Sequence, residues 1–251
     1  PVVVVLGHVD SGKTSLLDKI RGTGVQSREA GGITQHIGAS FFPTSILKEI
    51  CGPLYTKLGG NINVPGLLVI DTPGHKIFTN LRRRGGSAAD IAILVVDSAK
   101  GFEVQTLESI DILKNRKVPF VIALNKIDMI TGWKKGPDMF VSKSINLQTK
   151  PVTDEVDNRI YTIMGNMSQQ SFESEVFYRI KNFAKEVTIV PISARTGEGI
   201  PELLAVLVGL TQQYLSKGLI VSKGSSRGII LEITEEPGLG LSANAILLDG
   251  V

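Results

Sequence analysis

The residues with the clearest potential for chemistry form a loop close to the amino terminus. The apolar run 2–6 leads into the octapeptide GHVDSGKT at 7–14, which matches the pattern G-x-x-x-x-G-K-[ST] at every fixed position. Residues 14–21 then read as a helix, so the motif lies between a strand and a helix. Successive N–H groups of such a loop, together with the helix N-terminus, point at a bound anion. The sequence therefore predicts a site for phosphate groups.

The side chains of this loop suggest different tasks. The Lys13 ammonium is expected to reach the β- and γ-phosphate oxygens of a nucleotide, and the Thr14 hydroxyl is expected to bind magnesium. Asp10 is unusual here, because a carboxylate among phosphates repels them unless it turns outward or a cation intervenes. The predicted phosphate-binding residues are Val9, Asp10, Ser11, Gly12, Lys13, Thr14 and Ser15.

A second motif supplies residues for a reacting phosphate. The apolar run 66–70 reads as a buried strand and ends in DTPGH. Asp71 is then placed to hold magnesium, directly or through a water molecule. Gly74 can bring its N–H close to the γ-phosphate, and His75 would lie beside an attacking water. We predict that Lys13, Gly74 and His75 are the catalytic residues.

The polar, glycine-rich stretch 22–40 is long enough to be either mobile or functional. Thr34 within it is the candidate for a loop threonine that binds the metal only when a triphosphate is present. We also propose that Asp10, with the Gly32 carbonyl, binds a monovalent cation, K⁺ or Na⁺, beside the phosphates. An Asp10 side chain that simply faces solvent remains the alternative.

Two later motifs predict a preference for guanine. The strand 118–124 runs into NKID, where the Asp128 carboxylate can accept hydrogen bonds from guanine N1–H and the 2-amino group. Adenine would leave this carboxylate unpaired. Lys126 can lay its alkyl stem along the base, Asn125 can brace the phosphate loop, and the Ala194 N–H can donate to guanine O6. The predicted base-recognition residues are Asn125, Lys126, Asp128, Ser193, Ala194 and Arg195.

The motifs follow apolar strands that are separated by amphipathic helices. Strands are predicted at 66–70, 91–97, 118–124 and 187–192, and helices at 102–115, 153–185 and 199–216, whereas 131–151 reads as irregular and 41–65 has no clear role. This alternation predicts an α/β fold with a mainly parallel sheet, helices on both faces, and a nucleotide at the C-terminal strand ends.

The chain divides into three predicted parts. Residues 1–217 form the nucleotide-binding domain, 218–226 form a linker, and 227–251 begin a β-barrel, since two strands follow one another there without a helix. The chain does not begin with Met and stops within a pattern at Val251, so we expect a fragment of a longer protein.

Composition limits the classes of partner. A formal charge of +3 and a pI near 9.0 permit an RNA-rich partner, and Arg82–Arg84 form either a solvated helix face or a contact to RNA phosphates. The single Cys51 excludes an internal disulfide and suits a reducing compartment. No apolar run reaches the roughly 18 residues of a membrane span, so a cytoplasmic protein without membrane contact is expected.

The motifs GHVDSGKT, DTPGH, NKID and SAR, in this order, resemble those of the translational GTPases, which have a P-loop GTPase domain. The longer phrases GHVDSGKTSLLDKIR and EAGGITQHIGASFFP are similar to the family of archaeal and eukaryotic initiation factor 5B, a relative of bacterial initiation factor 2. The resemblance implies a GTPase that hydrolyses GTP to GDP and phosphate and that is stimulated by the ribosome.

The same resemblance implies a set of cofactors and partners. Magnesium and a monovalent cation would accompany GTP or GDP, and the partners would be the large and small ribosomal subunits, ribosomal RNA and other initiation factors. Initiator tRNA would be bound only through domains that this chain lacks, and the chain would be a monomer. Two alternatives stay open: a tRNA-delivering elongation factor, and a nucleotide-bound scaffold that binds ribosomal RNA without needing hydrolysis.

Overall fold

The computed structural model describes residues 1–25, 39–57, 64–70, 89–215, 227–236, 238 and 240–249. Seven strands form one sheet in the order β2-β3-β1-β4-β5-β7-β6, and every neighbouring pair is parallel except the antiparallel pair β2 and β3. This confirms the mainly parallel sheet. The strands are β1 (Val2–Gly7), β2 (Ala39–Pro43), β3 (Gly66–Ile70), β4 (Ile91–Asp97), β5 (Phe120–Asn125), β6 (Ser174–Val176) and β7 (Val187–Pro191).

Helices connect these strands and cover the sheet. Short 3-10 turns also occur at Val9–Ser11 and Ile127–Met129, immediately after β1 and β5. The described helices are α1 (Lys13–Val25), α2 (Thr44–Cys51), α3 (Pro53–Lys57), α4 (Val104–Arg116), α5 (Val141–Asn146), α6 (Lys150–Gln169) and α7 (Ile200–Leu215).

The alternation of side chains along each strand produces two hydrophobic cores. In β1, Val4 and Leu6 pack into one core with α4 and α6, whereas Val3 and Val5 pack into the other with α1, α2 and α7. Because the central strands are buried on both faces, they read in the sequence as continuous apolar runs. The prediction of helices on both faces is therefore confirmed.

The predicted helix over 153–185 is wrong beyond Gln169. Ser171 has φ +65°, and the N–H groups of Ser171 and Phe172 donate to the carbonyls of Ser168 and Met167 at 2.9 and 3.0 Å. These bonds close the helix in the manner of a Schellman motif. The chain then forms the three-residue strand β6, which the helical periodicity did not indicate.

Two other segments differ from the sequence-based prediction. The strand β2 begins in the polar stretch 22–40 and ends in the stretch 41–65, neither of which was predicted to contain a strand. It pairs with β3 at the edge of the sheet. A strand of five residues at the edge of the sheet is not buried on both faces, so its sequence lacks the continuous apolar run that marks the central strands. The region 131–151, expected to be irregular, contains α5 and the start of α6. The stretch 41–65, whose role the sequence leaves open, contains α2 and α3.

The last described part is an antiparallel hairpin of β8 (Arg227–Glu236) and β9 (Gly240–Asp249). Gly238 and Gly240 have φ of +89° and +77° in the turn between them, a conformation that favours glycine. Both predicted strands are present, while the barrel and the domain limits stay predictions. Among the described residues, no helix is both long and apolar enough to cross a bilayer.

Candidate nucleotide-binding site

The phosphate loop lies between β1 and α1, as the motif requires. Its two glycines have φ of +137° at Gly7 and +92° at Gly12. A β-carbon at Gly7 would lie 2.2 Å from the carbonyl oxygen of Val95, and one at Gly12 would lie 2.4 Å from Nδ2 of Asn125. The glycines are therefore needed for two reasons. Both have a backbone conformation that favours glycine, and a β-carbon would collide with the β4 backbone at Gly7 and with the Asn125 side chain at Gly12.

Lys13 is buried under this loop and bonded to its backbone. The ammonium Nζ donates to the carbonyl oxygen of Gly7 at 3.0 Å and to that of His8 at 2.5 Å. These bonds hold the Lys13 ammonium against the backbone of the phosphate loop, where a bound phosphate would lie. Thr14 and Ser15 are exposed on the first turn of α1, where the Thr14 hydroxyl fits the role of a magnesium ligand.

Val9 and Asp10 lie at the exposed tip of the loop. The backbone N–H of Val9 donates to Oε1 of Gln105 at 3.0 Å, and Nδ1 of His8 lies 3.1 Å from Oε2 of Glu103 without the alignment of a hydrogen bond. The start of α4 thus supports the loop from the side, a contact that sequence reasoning missed because Glu103 and Gln105 belong to no motif. The Asp10 carboxylate is accessible both to solvent and to a cation.

Asn125 joins the phosphate loop to the loop after β7. The side chain is only 1% exposed, and its Nδ2 donates to the carbonyl oxygen of Ser11 at 2.8 Å. Its Oδ1 accepts the N–H of Ala194 at 2.9 Å. The brace that the sequence predicted is therefore present. The Ala194 amide, however, already has an acceptor, so a bond to guanine O6 requires this N–H to be shared between two acceptors.

Lys126 and Asp128 follow Asn125 directly. Lys126 has φ +67°, which turns the chain at the end of β5, and its Nζ lies 2.7 Å from Oδ2 of Asp97. Burial disfavours the charged form of Asp97, but the hydrogen bond from Lys126, two backbone amides and the lysine charge together lower the pKa of Asp97 below its ordinary value. Asp128 is half-buried, and its carboxylate accepts no hydrogen bond from any described residue.

The segment that begins at Ser193 forms a tight turn. Ser193 is fully buried, its Oγ accepts the N–H of Thr196 at 3.0 Å, and its carbonyl accepts the N–H of Gly197 at 2.8 Å. Ala194 is buried, whereas Arg195 is exposed. The turn therefore presents backbone groups rather than the arginine toward Asn125.

Glu198, which the sequence motifs did not indicate, connects this turn by hydrogen bonds to the segment 133–144. Its side chain has no exposed surface, and its carboxylate accepts hydrogen bonds from the Gly136 N–H at 3.0 Å, the Ser144 Oγ at 2.5 Å and the Thr196 Oγ1 at 2.6 Å. The indole N–H of Trp133 donates to it at 3.4 Å. An acidic residue among the glycines of RTGEG was the only signal of this role.

The structure thus brings three predicted groups to one edge of the sheet, the carboxyl ends of β1, β5 and β7. They are the loop 7–15, the segment 125–128 and the turn 193–195. Buried donors, exposed hydroxyls and a carboxylate that no described residue pairs with are together suited to a nucleotide with a purine base. The remaining predicted residues lie outside the described residues: Gly32, Thr34, Asp71, Gly74 and His75.

Comparisons with known proteins agree with this geometry. Residues 1–213 match the family model of the elongation factor Tu GTP binding domain. The crystal structure of GDP-bound aIF5B from Aeropyrum pernix superposes with a TM-score of 0.92 at 54% identity, covering 100% of this chain and 42% of that chain. The apo form of translation elongation factor SelB from Methanococcus maripaludis, at 21% identity and a TM-score of 0.61, shows the fold alone.

Curated relatives give the same picture. The chain is 54% identical over 251 residues to the probable translation initiation factor IF-2 of Aeropyrum pernix and 53% identical to that of Sulfolobus acidocaldarius. It is fully covered in both alignments but spans only 41% and 42% of those proteins. With a family match over 213 of its 251 residues, the chain belongs to the family of GTP-binding domains named after elongation factor Tu.

Proposed function

We propose that this chain is the GTP-binding and GTP-hydrolysing part of a translation initiation factor. One observation carries the choice of guanine: Asn125 ties the phosphate loop to the turn at Ala194, while the nearby Asp128 carboxylate is left without a described protein partner. This carboxylate accepts the N1–H and 2-amino group of guanine, and adenine offers no equivalent pair. Such a mismatch discriminates by about 10⁴ in sites built around a polar group.

The proposed reaction is in-line attack of water on the γ-phosphate of GTP. Lys13 neutralises charge on the β- and γ-phosphate oxygens, the Gly74 N–H binds the γ-phosphate, and His75 orients the water. Thr14, Thr34 and Asp71 hold magnesium, which supplies further charge neutralisation when bound. Inorganic phosphate leaves and GDP remains in the site.

Asp10 has a separate proposed role. With the carbonyl of Gly32 it binds K⁺ or Na⁺ close to the β- and γ-phosphates, which removes the repulsion between a carboxylate and these phosphates. The exposure of Asp10 supports this role because the side chain is open to an ion. Hydrolysis by the wild type should be faster in potassium than in choline buffer, and Asp10→Ala should abolish the difference. Equal rates in both buffers for the wild type would contradict the cation site.

The proposed setting is the ribosome. Curated relatives at 53–54% identity are initiation factors, whereas the elongation factor SelB structure is only 21% identical. The partners would be both ribosomal subunits, ribosomal RNA and other initiation factors. A monomeric, cytoplasmic protein fits this setting. GTPases of this kind gain about 10³ to 10⁵ in rate from a partner.

Single-turnover hydrolysis of GTP with and without purified ribosomes tests the proposal. We expect slow hydrolysis by the chain alone and a faster rate with ribosomes. His75→Ala should keep the affinity for GTP and lose the stimulated rate. If His75→Ala kept full stimulated activity, the catalytic role would belong to another residue. Binding of ribosomes without any hydrolysis would instead support an RNA-binding scaffold.

A further inference from the structure

Asp97 is the last residue of β4, and its position is fixed by the sheet. In the parallel register of β4 and β5, Asp97 lies beside Asn125, the last residue of β5. Lys126 follows Asn125 directly and is therefore within reach of the Asp97 carboxylate. The N–H of Ser98 also donates to the carbonyl oxygen of Asn125 at 2.9 Å, which prevents the two strand ends from separating. The ion pair is thus placed by backbone pairing.

Both oxygens of the Asp97 carboxylate are occupied. Oδ2 lies 2.7 Å from Nζ of Lys126, and Oδ1 accepts the N–H of Ala99 at 2.8 Å. Asp97 is only 5% exposed, whereas Lys126 is 29% exposed. The lysine therefore has its charged end anchored inside the protein, while part of its side chain remains on the surface.

We propose that Asp97 is a positioning residue for the nucleotide base. It holds the Lys126 ammonium so that the methylene stem is extended beside the Asn125–Asp128 segment, where it forms an apolar surface for the purine ring. The inference rests on the proposed function, because it concerns the same guanine site. No motif in the sequence assigns a role to Asp97, the last residue of β4. The acidic residue that the sequence predicted to be functional was Asp71, which follows β3.

The physical reason is preorganisation. A lysine side chain has among the largest rotamer entropies, and a free lysine would lose this entropy on contact with the base. Because the bond to Asp97 already orders the Lys126 side chain in the folded protein, nucleotide binding does not have to include this loss of entropy. The effect should be confined to the base end of the ligand, since Lys126 lies after β5 and the phosphate loop lies after β1.

The test is calorimetric titration of GDP and of a non-hydrolysable GTP analogue into Asp97→Asn. This substitution keeps an acceptor for the Ala99 N–H and removes the charge pair. We expect both affinities to fall by the same factor, roughly tenfold. The rate of GTP hydrolysis at saturation should be unchanged. Asp90→Asn is the matched control, because Asp90 directly precedes β4, at the end of the strand opposite to Asp97, and accepts the Val2 N–H at 2.7 Å. The affinities of this variant should equal those of the wild type.

A double-mutant cycle separates positioning from a general structural role. Lys126→Met keeps the apolar stem and removes the ammonium, so Asp97→Asn should cause no further loss of GDP affinity in that background. The same tenfold loss in both backgrounds, or wild-type affinity of the single Asp97→Asn variant, would overturn the inference. A wild type that does not prefer GDP over ADP would instead overturn the proposed function.

Discussion

The two ends of the proposed site are built differently. The base end, residues 125–128 and 193–198, is held by two buried side chains with fixed hydrogen-bond partners, Asn125 and Glu198, at 1% and 0% exposure. The phosphate end, residues 7–15, presents Val9, Asp10, Thr14 and Ser15 as exposed side chains, whereas Lys13 and Ser11 are buried and donate hydrogen bonds to the loop backbone.

The difference indicates how specificity and chemistry are divided. The buried hydrogen bonds of Asn125 and Glu198 hold the backbone on both sides of the proposed base site, so the groups proposed to recognise guanine are positioned by the folded structure. The phosphate end keeps its hydroxyls and carboxylate accessible to ions and phosphate oxygens. Substitutions of the buried side chains at the base end should therefore reduce the free energy of unfolding, and substitutions of the exposed side chains at the phosphate end should affect activity alone.

The largest effect is expected for Glu198→Ala. The substitution leaves the buried donors of Gly136 and Ser144 and the half-buried hydroxyl of Thr196 without their acceptor, so we expect a loss of about 3 kcal/mol in the free energy of unfolding, measured by urea denaturation. Glu198→Gln, which keeps one acceptor oxygen, should lose less. A change below about 0.5 kcal/mol for Glu198→Ala would show that the base end is not rigidly built.

A smaller loss is expected for Asn125→Ala. This variant loses the two buried hydrogen bonds to Ser11 and Ala194, for which we expect about 2 kcal/mol in urea denaturation. GDP affinity should fall as well, because the phosphate loop is no longer tied to the base end. Asn115→Ala, on the exposed face of α4, is the control and should resemble the wild type. Unchanged GDP affinity in Asn125→Ala would contradict the brace.

The smallest effect on stability is expected for Asp10→Ala. Since Asp10 is exposed, the free energy of unfolding should change by less than about 0.5 kcal/mol. The same variant should lose the potassium dependence of hydrolysis. A large destabilisation would mean that Asp10 supports the loop rather than an ion, and the contrast between the two ends would then disappear.

The sequence predicted best what depends on local pattern. The strand, loop and helix around Lys13 and the central strands could be predicted, because apolar runs and motif spacing are local signals. The Asn125 brace could be predicted although Ser11 lies 114 residues away, because Asn125 belongs to the motif NKID. The short strands β2 and β6 could not, since pairing at the sheet edges depends on distant partners. Asp97 and Glu198 were missed for the same reason: their partners lie 29 residues away at Lys126 and up to 65 away at Trp133.

The central claim is that the base end is prebuilt for guanine around the Asp128 carboxylate. Calorimetric titration of GDP, ADP and xanthosine diphosphate into the wild type and Asp128→Asn tests it most directly. The account predicts that the wild type prefers GDP over ADP by about 10⁴ and that Asp128→Asn prefers xanthosine diphosphate, because an asparagine amide can donate to the 2-oxygen of xanthine. Equal binding of GDP and ADP by the wild type, or unchanged guanosine selectivity in Asp128→Asn, would contradict it.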